Sequence, residues 1–123
     1  MKAKKIIDQN ALKFTHAREL LLDIFQQSEK PLCYQDIKEQ INMDKATFYR
    51  NMHTFEEKGI MNGFESSDKK RYYELHKKNH AHFICSSCHK VKCLDALSDF
   101  QMTGYEIDNI IIHGKCQICQ NNA

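Results

Sequence analysis

Along the first sixty positions apolar residues recur at helical rather than strand spacing. Ile6, Ile7, Ala11 and Phe14 form one such stripe and predict a first helix. Thr15 is placed to cap a second helix, whose Leu20, Leu21, Ile24 and Phe25 make a further stripe. Ser28 to Pro31 breaks the pattern, and Tyr34, Ile37 and Ile41 then mark a short third helix closed by Asn42-Met43. Asp44 is a good N-cap for a fourth helix that runs towards Gly59, a fitting C-cap. After Gly59 the period shortens, and Ile60 to Glu65 and Arg71 to Leu75 read as strands around the polar tip Ser66-Ser67-Asp68-Lys69-Lys70. Short helices followed by a hairpin predict a winged helix. Lys77-Lys78-Asn79 reads as a polar hinge. Beyond it His80 to Cys85 and Tyr105 to His113 read as strands, with a short helix over Asp95 to Met102. The expected organisation is α+β: a winged helix-turn-helix over residues 1–76, a hinge at 77–79, and a small α/β domain over 80–123.

The bulk numbers narrow this only a little. With 123 residues and 41% hydrophobic positions there is room for two small cores, and a domain near 50 residues often needs a metal or a partner. Mean hydropathy of -0.64 fits a soluble protein, and runs such as Ile110-Ile111-Ile112 are too short to cross a bilayer. Lys2, Lys4 and Lys5 are followed by Asp8, Gln9 and Asn10, which is not a secretory pattern, so six cysteines point to the reducing cytoplasm. Residues 1–78 carry 15 basic against 12 acidic side chains, leaving room for nucleic-acid contact there without establishing it.

The strongest chemistry is four cysteines in two C-x-x-C pairs, Cys85 with Cys88 and Cys116 with Cys119. Two such knuckles supply the four thiolates that a structural zinc takes tetrahedrally. The 27 residues between them exceed the roughly 15–20 of simple ribbons. They suit a short helix and a returning strand. A thioredoxin-like redox site would need one such pair at a strand-to-helix turn, not two.

On a wheel of about 100° per residue, Phe48, Met52 and Phe55 share one face of the fourth helix and should pack inward. Ala46, Tyr49, Arg50 and His53 lie opposite. An arginine that can fork onto guanine, beside an aromatic and a small residue, suits a major groove. An ordinary solvated face would look the same on the wheel, and the flanking short helix and hairpin favour the DNA reading. His80 and His82, two apart on a strand, face one way, with Glu74 upstream and Cys93 downstream. They suit a second metal site at the junction, or are solvent-facing polar residues.

Taken in order, these residues resemble the ferric uptake regulator (Fur) family of bacterial metal-dependent transcriptional regulators. The matching segments are Leu12-Lys13-Phe14-Thr15 with Arg18, then Ala46-Thr47-Phe48-Tyr49-Arg50, and then Glu74. They continue with His80-Ala81-His82-Phe83-Ile84-Cys85-Ser86-Ser87-Cys88 and Cys116-Gln117-Ile118-Cys119. The resemblance implies a homodimeric repressor of palindromic, AT-rich double-stranded DNA, with a structural cysteine zinc and a regulatory divalent metal at the hinge. It implies base contacts by Tyr49 and Arg50, a minor-groove approach by Lys13, and regulatory ligation by Glu74, His80 and His82. Arg18, Ala46 and Thr47 fall in the same DNA-binding motifs.

The chain departs from the family pattern at three places. The usual histidine before the third helix falls at Pro31, with Cys33 nearby either as a substitute ligand or as a small buried residue. Cys93 stands where many members carry a carboxylate ligand, and a thiolate favours zinc over iron or manganese. The segment between the C-x-x-C pairs is short and the chain ends soon after Cys119, so a dimerisation helix with fewer turns is expected. Asn79 and Ala81 occupy the positions of a further family metal site, which is expected to be absent. Two rivals stand beside this reading. One is a thiol- or peroxide-responsive redox regulator on the same fold, using Cys33 or Cys93. The other, a zinc enzyme, is disfavoured because four thiolates leave no open coordination position. No membrane and no organic cofactor are expected.

Overall fold

The computed structural model describes residues 2–76, 81–94, 100–107 and 109–121. In chain order the elements are α1 (Ala3–Gln9), α2 (His16–Gln27), β1 (Leu32–Cys33), α3 (Tyr34–Ile37), α4 (Lys45–Glu57), β2 (Met61–Glu65) and β3 (Arg71–Leu75). They continue with β4 (Ala81–Cys85), β5 (Val91–Cys93), β6 (Ile110–Gly114) and α5 (Gln117–Asn121). The fold is α+β, with an N-terminal winged helix-turn-helix followed by a small α/β part. By compactness the chain divides into Met1–Gly63 with Tyr72–His76, and Phe64–Arg71 with Lys77–Ala123.

In the first unit both predicted caps form. Thr15 Oγ1 accepts from the Arg18 amide at 3.1 Å, and Asp44 Oδ1 accepts from the Thr47 amide at 2.8 Å. Each satisfies an amide that the first turn leaves without an intrahelical acceptor. Hydrogen bonds from the Thr47 side chain and then from its amide hold the Asp44 carboxyl below its ordinary pKa. Helix α4 ends at Glu57 with Lys58 as its C-cap, and Gly59 takes φ +72°, the left-handed conformation glycine adopts without strain. The core gathers Ile7, Leu21, Leu22, Phe25, Ile37, Phe48, Met52, Phe55 and Tyr73. Phe48, Met52 and Phe55 are 0% exposed, as the wheel required. Strands β2 and β3 form the wing, and β1, not expected from the sequence, pairs antiparallel with β3 through Leu32–Tyr73 and Cys33–Tyr72.

Two helical expectations shorten. The first helix stops at Gln9, not Phe14. Asn10 Nδ2 donates back to the Ile6 carbonyl at 2.8 Å, and Ala11 turns to φ +56°. Phe14 is left 38% exposed, edge-on to His16. Helix α3 stops at Ile37, followed by a turn, although Ile41 is still buried.

In the second unit β4 is central. It pairs antiparallel with β5 (His82–Cys93, Phe83–Lys92, Ile84–Val91) and parallel with β6 (Ala81–Ile110 through Cys85–Gly114). The expected strand over Tyr105 to His113 forms only from Ile110, and 105–107 are irregular. The short strand β5 and the one-turn α5 were not expected. Of the helix expected over Asp95 to Met102, residues 95–99 lie outside the described residues and 100–102 are irregular. Gly114 faces the Phe83 ring, where a Cβ would come within 3.1 Å of it, so a side chain there would push the ring off the sheet.

Candidate metal centres and nucleic-acid interface

The parallel register of β4 and β6 ends with Cys85 beside Gly114, so both C-x-x-C turns emerge at one end of the sheet. Ser86 fixes the join by donating its amide to the Gly114 carbonyl at 2.7 Å. The second pair is set by α5: Cys116 precedes the helix and its carbonyl accepts from the Gln120 amide, which leaves Cys119 one turn on. The four Sγ atoms of Cys85, Cys88, Cys116 and Cys119 lie within 4.8 Å of one another. Cys88 Sγ and Cys116 Sγ are 3.8 Å apart. A tetrahedral ion with metal–sulfur bonds of about 2.3 Å would set its sulfurs about 3.8 Å apart. The donor set therefore fits an ion of zinc's size and coordination.

The electrostatics of the cluster agree. The amides of Cys88 and Cys116 both donate to Cys85 Sγ at 3.4 Å, and these bonds hold its thiol down to about 5. The Cys119 amide lowers Cys116 in the same way. Hydrogen bonding to the sulfurs of Cys116 and Cys85 keeps the proton on Cys119, pushed up to about 12. Four adjacent sulfurs cannot all ionise without a cation among them. His89 takes φ +64° and brings Nδ1 within 2.8 Å of Ser67 Oγ. Ser67 also donates to the Cys85 carbonyl at 3.1 Å.

Of the four residues expected to hold a regulatory metal, His82 and Cys93 face each other across the β4–β5 pair. Their ligand atoms lie within 4.8 Å. His82 is 0% exposed, its ring stacked on Phe64 at 4.6 Å, so it is not a solvent-facing strand residue. Cys93 is half-buried. Glu74 is buried on β3 in the first unit, and His80 lies outside the described residues. Cys33 caps α3: its amide donates to Asp36 Oδ2 at 3.0 Å, and its side chain accepts from the third helical amide. It is 3% exposed, and burial raises its thiol, which favours the small buried residue over the ligand.

On α4, Ala46, Arg50 and His53 are exposed and Thr47 is half-exposed. His53 pairs with Glu57 one turn on. Tyr49 departs from the expected outward position. It is half-buried, with ring centroids 5.1 Å from Phe48, 6.1 Å from Tyr34 and 6.5 Å from Tyr73. Burial pushes its phenol up. Lys13 is exposed in the loop before α2. Arg18 is half-buried and engaged with the protein: Nη1 donates to the Lys13 carbonyl at 2.9 Å and Nε to Asn51 Oδ1 at 3.1 Å. Asn51 was missed because nothing in its own neighbourhood of the sequence announces a bond to residue 18.

A winged helix with Arg50 exposed on α4, followed by a sheet that gathers four thiols at one end, fits a metal-binding regulator. The ferric uptake regulator family model matches residues 9–110. A ferric uptake regulation protein of Staphylococcus epidermidis is 33% identical over 135 aligned positions, covering 98% of this chain and 96% of that protein. Among solved structures, the ferric uptake regulator of Helicobacter pylori superposes with a TM-score of 0.74 at 23% identity, over 95% of this chain and 88% of that one. The regulator of Francisella tularensis solved with iron gives 0.68 at 26% identity, over 89% and 95%. The chain belongs to the ferric uptake regulator family, whose members are metal-responsive regulators and not enzymes. Among the described residues no helix is long and apolar enough to cross a membrane.

Proposed function

We propose that this protein is a metal-dependent transcriptional repressor of the cytoplasm, binding palindromic AT-rich operators in double-stranded DNA as a homodimer. The observation that carries the reading is the exposure of Ala46, Arg50 and His53 on α4, on a winged helix, in a chain that belongs to this family. Arg50 and the outer edge of Tyr49 would meet base edges, with Ala46 and Thr47 packing close to the groove. Lys13 would approach the minor groove, and Arg18 would serve by holding the loop that carries it. Residues 1–76 act as the DNA-binding domain, 77–79 as a hinge, and 80–123 as the dimerisation and metal-binding domain.

Two metals enter the reading, and no organic cofactor. A structural zinc belongs to Cys85, Cys88, Cys116 and Cys119, supported by the sulfur spacing. A regulatory divalent ion belongs to Glu74, His80, His82 and Cys93, supported by the resemblance and by the facing of His82 and Cys93. The Cys93 thiolate favours zinc there over iron or manganese. The ion raises DNA affinity only as far as it binds the DNA-competent state more tightly than the other. The test is DNA binding by the metal-free protein titrated with zinc, ferrous and manganous ions at fixed salt. The reading expects one ion to raise affinity at least about tenfold, a bias of about 1.4 kcal/mol, and His82→Ala to abolish the effect. It fails if no divalent ion changes affinity for any AT-rich palindrome.

A further inference from the structure

Arg18 makes three hydrogen bonds in three directions. Its amide donates to Thr15 Oγ1 at 3.1 Å, Nη1 to the Lys13 carbonyl at 2.9 Å, and Nε to Asn51 Oδ1 on α4 at 3.1 Å. Asn51 is itself oriented, since its Nδ2 donates to the Thr47 carbonyl one turn earlier at 3.1 Å. Thr47 is in turn the residue whose amide Asp44 caps. A continuous path of hydrogen bonds therefore joins the Lys13–Thr15 loop to the first turn of α4.

The loop needs such a tether. Upstream it leaves α1 through Ala11 in the left-handed region, and the Leu12 amide returns to the Ile7 carbonyl at 3.1 Å. Downstream, Lys13 and Phe14 project into solvent. A loop that presents a lysine from a floppy backbone gives up ordering entropy when its target arrives, and a loop already held does not. The guanidinium suits the task because its rigid fork can serve a carbonyl and an amide oxygen at once, which a lysine ammonium on a flexible stem does poorly.

We infer that Arg18 and Asn51 are positioning residues that couple the Lys13 loop to α4, so that the two engage DNA as one unit. The inference rests on the DNA-binding reading above. It goes beyond that reading in coupling the loop to α4 and in giving Asn51 a role.

The test is a double-mutant cycle on the full-length, zinc-loaded protein, with Lys13→Ala and Asn51→Ala singly and together. The probe is a duplex that the wild-type protein selects from a random pool, and thermal unfolding is recorded for each variant. Lys13→Ala should weaken binding about five- to tenfold and make the log–log salt dependence shallower by about one. Asn51→Ala should weaken binding about three- to tenfold without adding or removing a charge. The double variant should bind no more weakly than about the worse single one, because Lys13 on an untethered loop has already lost its advantage. Losses that multiply overturn the coupling, as does wild-type affinity in either single variant. Arg18→Lys repeats the cycle where Asn51→Ala lacks a thermal transition. It keeps the charge and should behave like Asn51→Ala, whereas wild-type affinity would mean that Arg18 acts only as a cation. Failure of the wild-type protein to select any duplex sinks the DNA-binding reading itself. Selection followed by multiplicative losses sinks only the coupling.

Discussion

Tyr49 is where the structure and the wheel disagree, so its substitution separates packing from recognition. Its ring meets Tyr34, Phe48 and Tyr73, all at centroid distances suited to aromatic pairs. Each such pair contributes roughly 0.5–1.5 kcal/mol beyond buried area, and the three share one ring, so they do not add fully. With half of the side chain also leaving water, Tyr49→Ala should destabilise the winged helix by about 2–4 kcal/mol. For a unit of this size that lowers its thermal midpoint by roughly 10–30 °C. Tyr49→Phe keeps every ring contact and should move the midpoint by less than about 3 °C. It should still weaken DNA binding, by about three- to tenfold, through loss of the hydroxyl at the groove. The assay is far-ultraviolet circular dichroism against temperature, paired with fluorescence anisotropy on a labelled duplex. If Tyr49→Ala loses DNA affinity with an unchanged midpoint, the ring is a reader and not part of the core, and the packing argument fails. If Tyr49→Phe destabilises as much as Tyr49→Ala, the hydroxyl and not the ring holds the site.

Gly59→Ala isolates backbone strain, because nothing lies within 4 Å of the added Cβ while φ is +72°. The urea midpoint should report a loss of about 1–2 kcal/mol, and a loss above about 3 would mean a steric clash that the structure lacks. Zinc loading of the four-cysteine site at pH 7 should release fewer than four protons, since Cys85 is already a thiolate at about 5, but at least one, from Cys119 at about 12. Calorimetry in buffers of different ionisation enthalpy counts them, and a release of four would place Cys85 among the protonated thiols. The sign follows: every proton that zinc displaces makes its apparent affinity fall as pH falls, so zinc retention should decline towards acid, and more steeply below about 5, where Cys85 too must give up a proton. Cys93→Ser should weaken the zinc response of DNA binding, whereas Cys33→Ser, which keeps a capping side chain at the start of α3, should leave it intact. The reverse pattern would move the regulatory ligand to Cys33. An oxidant response that Cys93→Ser abolishes, beside unchanged zinc-dependent binding, would instead favour the redox reading.

What could be read in advance was what is local and periodic. The inward face of α4 follows from the spacing of Phe48, Met52 and Phe55, and the caps at Thr15 and Asp44 from side chains that reach their own first turn. The cysteine cluster was legible because C-x-x-C spacing carries its geometry with it. The misses share a different cause. Phe14 keeps helical spacing, but the Ala11 amide bonds the Asp8 carbonyl and the chain turns at Ala11, a local change that periodicity does not register. Tyr49 sits one step round the wheel from Phe48, and only the arrival of Tyr34 and Tyr73 from other elements decides that it is half-buried. Strand β5 is three residues long, too short to show a period, and without its pairing the facing of His82 and Cys93 is invisible. Arg18 and Asn51 are 33 positions apart, so their bond appears only in three dimensions.

In the proposed function two metals divide the work, one holding the fold and the other carrying the signal. Stepwise zinc addition to the metal-free protein tests it most directly, with thermal stability and DNA affinity followed in the same samples. The first equivalent per protomer should fill the four-thiolate site and raise the unfolding temperature with little gain in affinity. The second should bring the rise in affinity, and His82→Ala should remove that second step alone. Full DNA affinity reached at the first equivalent, and unchanged in His82→Ala, would contradict the account.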